Sequence, residues 1–244
     1  MFDFVHVCFE TVQNTIVMIH ARSLTKVIRN GSIETTVLQN VNIDIEQGEY
    51  VVILGPSGSG KSTLINTIGL IDKPTSGELF FMGHEVSRLK ERQRSNLRRG
   101  GIGFIFQNFG LIDELNVYEN IELPLQYLKY AKKSRQVKVN EVLAKLQLTH
   151  LRQLYPKQLS ALQKQMVAIG RAIIMNPDLL IADEPTGNLS SACGNKVMEV
   201  LSTLNEEGYT IVMATHSAIE ADRGQRIIQL FDGHVVTENI KNRL

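Results

Sequence analysis

The chain's 244 residues, 43% hydrophobic and 21% charged, suffice for one large globular domain carrying a subdomain. A formal net charge of +1 offers no global field toward nucleic acid or lipid headgroups, and Cys8 and Cys193 have neither metal-ligand spacing nor the numbers for a disulfide framework, so a reducing cytosol is expected. No run approaches the roughly 20 apolar residues that cross a bilayer, and no basic leader opens the chain, so direct membrane insertion and a secretory signal are not expected.

Residues 1–17 fit poorly with the patterned chain after them, whereas Met18-Ile-His-Ala-Arg-Ser-Leu-Thr-Lys makes a sensible first strand; 1–17 are expected to be a dispensable extension and 18–244 the folded unit. Ser23–Ile28, Thr36–Ile45 and Gly77–Met82 read as hairpin strands forming an antiparallel layer. Tyr50–Leu54 is a short apolar strand that runs directly into Gly55-Pro56-Ser57-Gly58-Ser59-Gly60-Lys61-Ser62-Thr63, a match to G-x-x-x-x-G-K-[ST]. An amphipathic helix comes next, through Leu64, Ile65 and Ile68. Glycines let backbone N–H groups turn inward on phosphate oxygens, and the helix aims its positive end at the same anion. Lys61 is placed to reach the β- and γ-phosphates of a nucleoside triphosphate, and the Ser62 hydroxyl to hold Mg²⁺.

The basic run Arg88-Leu-Lys90-Glu-Arg92-Gln-Arg94, with Arg98 and Arg99, reads as a solvated helix face; Glu91 interrupts it and no aromatics alternate with it, against nucleic-acid binding. Ile102–Phe106 is a strand. Residues 108–156 read as a helical subdomain, with Val139, Val142, Leu143 and Leu146 on one face and Pro156 closing it. Leu179–Ala182 is an apolar strand that ends in Asp183 and Glu184, the first placed for a Mg²⁺ shell and the second to polarise water. Val197, Val200, Leu201 and Leu204 mark a further helix, Thr210–Ala214 a strand leading to His216, and Ile227–Leu230 another strand. The alternation predicts an α/β fold: a P-loop NTPase parallel-sheet core with an antiparallel β layer and a helical subdomain, its ligand at the carboxyl ends of the strands.

With these pieces in order, everything after residue 18 resembles the nucleotide-binding subunit of ABC transporters, the ABC ATPase cassette. The resemblance implies that Gln107, in Phe104-Ile-Phe-Gln, senses Mg²⁺ and nucleotide and faces the membrane subunit, that Asp183 holds metal, that Glu184 is the catalytic carboxylate and that His216 is the switch histidine. Leu159-Ser-Ala-Leu-Gln163 occupies the place of the signature Leu-Ser-Gly-Gly-Gln, whose Ser160 and Gln163 would complete the phosphate site of an opposing subunit. Gly69–Gly77, Glu119–Pro124 and Glu184–Asn188 are worded like the lipoprotein-release, macrolide-export and antimicrobial-peptide-export branch. The family works as head-to-tail dimers that close on ATP and move a transmembrane permease at the cytoplasmic face of the cell membrane. The segment from Gln107 to Pro124 would receive that permease, with Phe109, Leu111 and Tyr118 either as contacts or as subdomain core.

The departures gather on the half offered to a dimer partner. Ala161 and Leu162 replace the signature glycines, Leu162 adding bulk where backbone must approach a phosphate. Met166 stands where arginine is usual, Ser190 where an aspartate is usual, and Ile28 where an aromatic stacks on adenine. Losing one charge-assisted hydrogen bond costs roughly 1.5–3 kcal/mol, on the order of ten- to a hundredfold in rate. A homodimer should therefore hydrolyse ATP slowly, while a heterodimer would pair one competent site with one degenerate site. The alternative is an ATP-binding module that regulates or tethers a membrane complex with little hydrolysis. Cargo and direction of transport are not written in these residues.

Overall fold

The structure, a computed structural model, describes residues 16–31 and 33–240. Ile102–Phe106 (β6), Leu179–Asp183 (β7), Thr210–Thr215 (β8), Tyr50–Leu54 (β3) and Arg226–Phe231 (β9) lie side by side and parallel. His234–Ile240 (β10) adds an antiparallel edge beyond β9, in the order β10-β9-β3-β8-β7-β6. Parallel neighbours need crossover connections that cover both faces of the sheet, so the central strands are apolar nearly throughout.

Successive side chains of β3 part to opposite faces. Val51 and Ile53 join a core with Leu64, Ile65 and Ile68 of the helix Lys61–Ile68 (α1), while Tyr50 and Val52 join a second core on the other face. Helices Ala161–Ile173 (α5) and Ser191–Glu206 (α6) cover that second face through Ile169, Ile173, Val197 and Leu201. A separate antiparallel sheet of Val17–Asn30 (β1), Ile33–Glu46 (β2), Ser76–Phe81 (β4) and His84–Glu85 (β5) closes over the first core in the order β2-β1-β4-β5. β1 and β2 run 14 residues each, longer than the alternation predicts, because register shifts interrupt them around Ser23 and Asn40, both at positive φ. Of the stretch 1–17, only Ile16 and Val17 fall among the described residues; Val17 pairs with Glu46 at the start of β1.

The third core is helical. Ile121 and Leu125 of Val117–Tyr127 (α3) and Val139 and Leu143 of Lys132–Lys145 (α4) pack with Leu159, Val167 and Ile174. Asn116 caps α3 in a reciprocal box with Glu119, which fixes where this helix begins. The helical core thus continues past Pro156 into α5, which serves the sheet as well. The basic run, expected to be a solvated face, enters the helix Glu91–Gly101 (α2) after Arg88 and Lys90 and turns two of its cations inward. Arg94 is only 8% exposed and bonds Glu91 at 2.5 Å, and Arg98 bonds Glu91 at 2.7 Å and the Leu70 carbonyl. One carboxylate at helical spacing neutralises both, which lets them fold against the first core's rim. Among the described residues no helix is long and apolar enough to cross a membrane.

Candidate functional site

β3 ends at Leu54 and the chain turns through Gly55–Gly60 into α1. Two of the glycines are required by geometry: a Cβ on Gly55 would lie 2.2 Å from the Leu230 carbonyl oxygen, and Gly60 has φ 101° immediately before α1. Lys61 folds back into this loop, 6% exposed, with Nζ donating to the carbonyls of Gly55 at 2.9 Å and Pro56 at 3.0 Å. The same ammonium lies 3.6 Å from Glu184 Oε1. Ser59 Oγ is buried in the loop and has no hydrogen-bond partner among the described residues, an open valence that suits a phosphate oxygen.

The carboxyl ends of β7 and β8 bring the rest. Ser62 Oγ donates to Asp183 Oδ1 at 3.2 Å, joining α1 to β7. Burial pushes the Asp183 carboxyl above its ordinary 3.8, the Glu184 charge adds to this, and the Ser62 hydrogen bond and Lys61 oppose it. Glu184 adopts φ 45°, a left-handed conformation costly for a non-glycine residue, pinned by its N–H on the Ala214 carbonyl at 2.9 Å. Its Oε2 meets His216 Nδ1 at 2.8 Å while its Oε1 faces Lys61. Lys61, Ser62, Asp183, Glu184 and His216 are therefore one contiguous cluster. Among the described residues no three His, Cys, Asp or Glu side chains form a self-sufficient metal site. Mg²⁺ takes one or two protein oxygens and completes its shell with phosphates and water, and Ser62 Oγ beside Asp183 Oδ1 offers two such oxygens.

Gln107 packs beside the turn that follows Glu184. It is exposed at the end of β6, and its carboxamide packs on Gly187, where a Cβ would come within 2.7 Å of Gln107 Nε2. Asn188 donates to the Gln107 carbonyl and to Asn108 Oδ1, both at 2.9 Å. From α5, Arg171 donates to the carbonyls of Phe109 at 3.0 Å and Gly110 at 2.5 Å, holding two successive left-handed residues. Of the three candidate docking residues, Leu111 and Tyr118 pack on the helical core, and Phe109 is held in the Arg171 clamp. An open groove of about 570 Å³ lies beside them, lined by Arg99, Phe104, Phe106, Pro124, Tyr127 and Arg171.

Ile28, Ser160 and Gln163 are placed elsewhere. Ile28 stands 46% exposed on β1 opposite Thr35. Ser160 and Gln163 are the reciprocal cap of α5, Gln163 N–H to Ser160 Oγ at 3.3 Å and Ser160 N–H to Gln163 Oε1 at 2.9 Å. Leu162, expected to put bulk beside a phosphate, is half-buried against the second core with Met166 and Leu189. The bonding roles of Asn188, Arg171 and Glu220 do not stand out in the sequence, although Asn188 closes the stretch Glu184–Asn188 singled out there. Arg171 alone leaves a signal, as the one cation in the apolar run Met166–Ile173.

Comparison with known proteins finds relatives over most of the chain. The ABC transporter family profile matches residues 38–187. An ABC transporter ATP-binding protein of Methanocaldococcus jannaschii, itself uncharacterised, is 44% identical over 219 residues, covering 90% of this chain and 98% of that protein. The macrolide export ATP-binding/permease protein MacB of Azoarcus sp. is 41% identical over 91% of this chain, which spans 34% of the MacB length. The dimeric post-hydrolysis structure of the ATP-binding cassette MJ0796 with ADP and Pi superposes with a TM-score of 0.85 at 41% identity, over 93% of this chain and all of that one. Fold, phosphate loop and relatives agree: the chain belongs to the ABC transporter family, as one of its ATP-binding and ATP-hydrolysing cassettes.

Proposed function

We propose that this cassette binds ATP with Mg²⁺ and drives a separate transmembrane permease through ATP-dependent dimer closure. The observation that carries this is the carboxylate of Glu184, shared between Lys61 at 3.6 Å and His216 at 2.8 Å beside the Ser62–Asp183 pair. Lys61 exchanges its two loop carbonyls for β- and γ-phosphate oxygens, helped by the N–H groups of the loop and the positive end of α1. Ser62 and Asp183 would hold Mg²⁺, with Gln107 alongside, and the ion would supply neutralising charge to the phosphate oxygens. Glu184 takes the proton of the attacking water through the oxygen that His216 leaves free, and His216 keeps the carboxylate turned toward the γ-phosphate position. Ile28 covers the adenine by apolar contact.

Ser160 and Gln163 open α5 outside this cluster, so they are offered to a second cassette, either another copy of this chain or a related subunit. The permease seats along the Gln107–Pro124 segment and holds the cassette at the cytoplasmic face of the cell membrane. The MacB match and the worded stretches Gly69–Gly77 and Glu184–Asn188 favour export or extraction of a lipoprotein, peptide or drug. A regulatory or tethering role with little hydrolysis is the second reading, favoured by Ala161, Leu162 and Ser190. Steady-state hydrolysis by wild type, Glu184→Gln and Lys61→Ala decides between them. Glu184→Gln is expected to lower kcat by about a hundredfold or more with ATP affinity retained, and Lys61→Ala to lose binding. Equal, near-zero rates in wild type and Glu184→Gln would leave the tethering role.

A further inference from the structure

Two turns carry the groups assigned to hydrolysis, one after β7 with Glu184 and one after β8 with His216. Thr186 lies two residues beyond Glu184 and Thr215 immediately precedes His216; both are buried, at 7% and 0% exposure. Both hydroxyls donate to a single carboxylate on the short helix Ala218–Ala221 (α7): Thr186 to Glu220 Oε1, and Thr215 to Glu220 Oε2 at 2.8 Å. Thr215 Oγ1 also accepts from the Ser217 N–H at 3.1 Å, and Ser217 Oγ accepts from the Glu220 N–H at 3.4 Å, so α7 is tied to the same turn. Because Glu184 and His216 meet at 2.8 Å, the connections close into a ring through Glu184, Thr186, Glu220, Thr215 and His216.

A carboxylate suits this bridge because it accepts on both oxygens, whereas a carboxamide accepts on one and must donate from the other. A buried hydroxyl left without its acceptor pulls its turn toward another partner or water. We propose that Glu220 is a positioning residue: by bridging Thr186 and Thr215 it sets the separation of the two turns and so the alignment of Glu184 with His216. Among the described residues no hydrogen bond joins Glu220 to either side chain. The proposal rests on the roles assigned to Glu184 and His216 under the proposed function.

Glu220→Ala, Glu220→Gln and Thr186→Val are to be compared in the purified full chain for kcat, for affinity toward a non-hydrolysable ATP analogue with Mg²⁺, and for thermal unfolding. Glu220→Ala is expected to lower kcat about tenfold and Glu220→Gln about threefold, with analogue affinity unchanged, because the phosphate loop makes no use of Glu220. Combining Glu220→Ala with Thr186→Val should cost less than the sum of the two, since both remove one bond. Wild-type kcat in both Glu220 variants overturns the proposal, as does affinity falling in step with kcat. Should Glu220→Ala fail to fold, the isosteric Glu220→Gln and Thr186→Val decide by the same kcat criterion. Glu184→Gln in the same assay separates the two levels. If it hydrolyses at full rate, the role of Glu184 fails and the positioning role falls with it; if it is inactive while the Glu220 variants are normal, only the positioning role is lost.

Discussion

Asp183, proposed to hold Mg²⁺, sets the ligand-free fold against that role. Its carboxyl is held above 3.8 by burial first and by Glu184 second. A raised folded value means that the folded chain binds this proton more tightly than the unfolded chain. That stabilisation is complete below the unfolded value and lost as pH rises through the folded one, so at neutral pH ionised Asp183 is a destabilising group. Asp183→Asn is therefore expected to raise the calorimetric melting temperature of the ligand-free chain at pH 7, with the gain shrinking as pH falls toward 3.8. The same variant should weaken Mg²⁺-dependent nucleotide binding by about tenfold or more. In the wild type, Mg²⁺-dependent binding should begin to weaken with acid at a higher pH than an ordinary aspartate would impose. At this scale, legibility depends on distance along the chain. Lys61 and Ser62 can be read because the glycines they need are contiguous with them. Asn188, Arg171 and Glu220 act on partners 81, 61 and 34 residues away, and no local pattern marks such pairs.

Among the elements, α5 carries the most conflicting demands. Its Ser160–Gln163 cap faces solvent, Leu162 and Met166 stack one turn apart against the second core, and Val167 belongs to the helical core. The combined Ala161→Gly and Leu162→Gly change adds roughly 1 kcal/mol of helix propensity cost per glycine and removes part of a Leu side chain's burial, worth about 1 kcal/mol. Denaturant unfolding is expected to show a loss of about 2–3 kcal/mol in total. Hydrolysis should nevertheless rise about tenfold, as backbone at the start of α5 gains access to an opposing phosphate. A variant that is both less stable and no faster would show that Leu162 serves packing alone. The central strands are readable as apolar runs bounded by turn residues. The length of β1 and β2 is not, because left-handed Ser23 and Asn40 break the alternation inside strands that continue beyond them. The inward turn of Arg94 is hidden for a similar reason: its charge suggests water, while its i−3 neighbour Glu91 allows burial.

For the molecule as a whole, the topology decides when the site can exist. β3, which launches the phosphate loop, has β8 on one side and β9 on the other, Tyr50 against Ile211 and Val51 against Arg226. The loop itself rests on Leu230, whose carbonyl crowds Gly55. A chain cut after Gly208 keeps the entire Gly55–Thr63 sequence and loses both neighbours of β3. It is expected to bind no ATP analogue in calorimetry, although the full chain binds. The division into a parallel sheet, an antiparallel layer and a helical layer is legible from element alternation, but strand order is not, since pairing between β3 and β9 leaves no trace in either sequence.

This placement of β3 also fixes a timetable during synthesis. Leu230 lies 175 residues beyond Gly55, so at roughly 5–20 residues per second the ribosome needs about 9–35 s to supply the second flank after the first glycine is made. Until Thr210–Thr215 is made, Tyr50–Leu54 is an apolar segment without either parallel neighbour, and nucleotide cannot rescue it because nothing yet grips nucleotide. The nascent chain should therefore depend on chaperone shelter until β8 and β9 emerge, after which ATP capture reports that both flanks of β3 are seated.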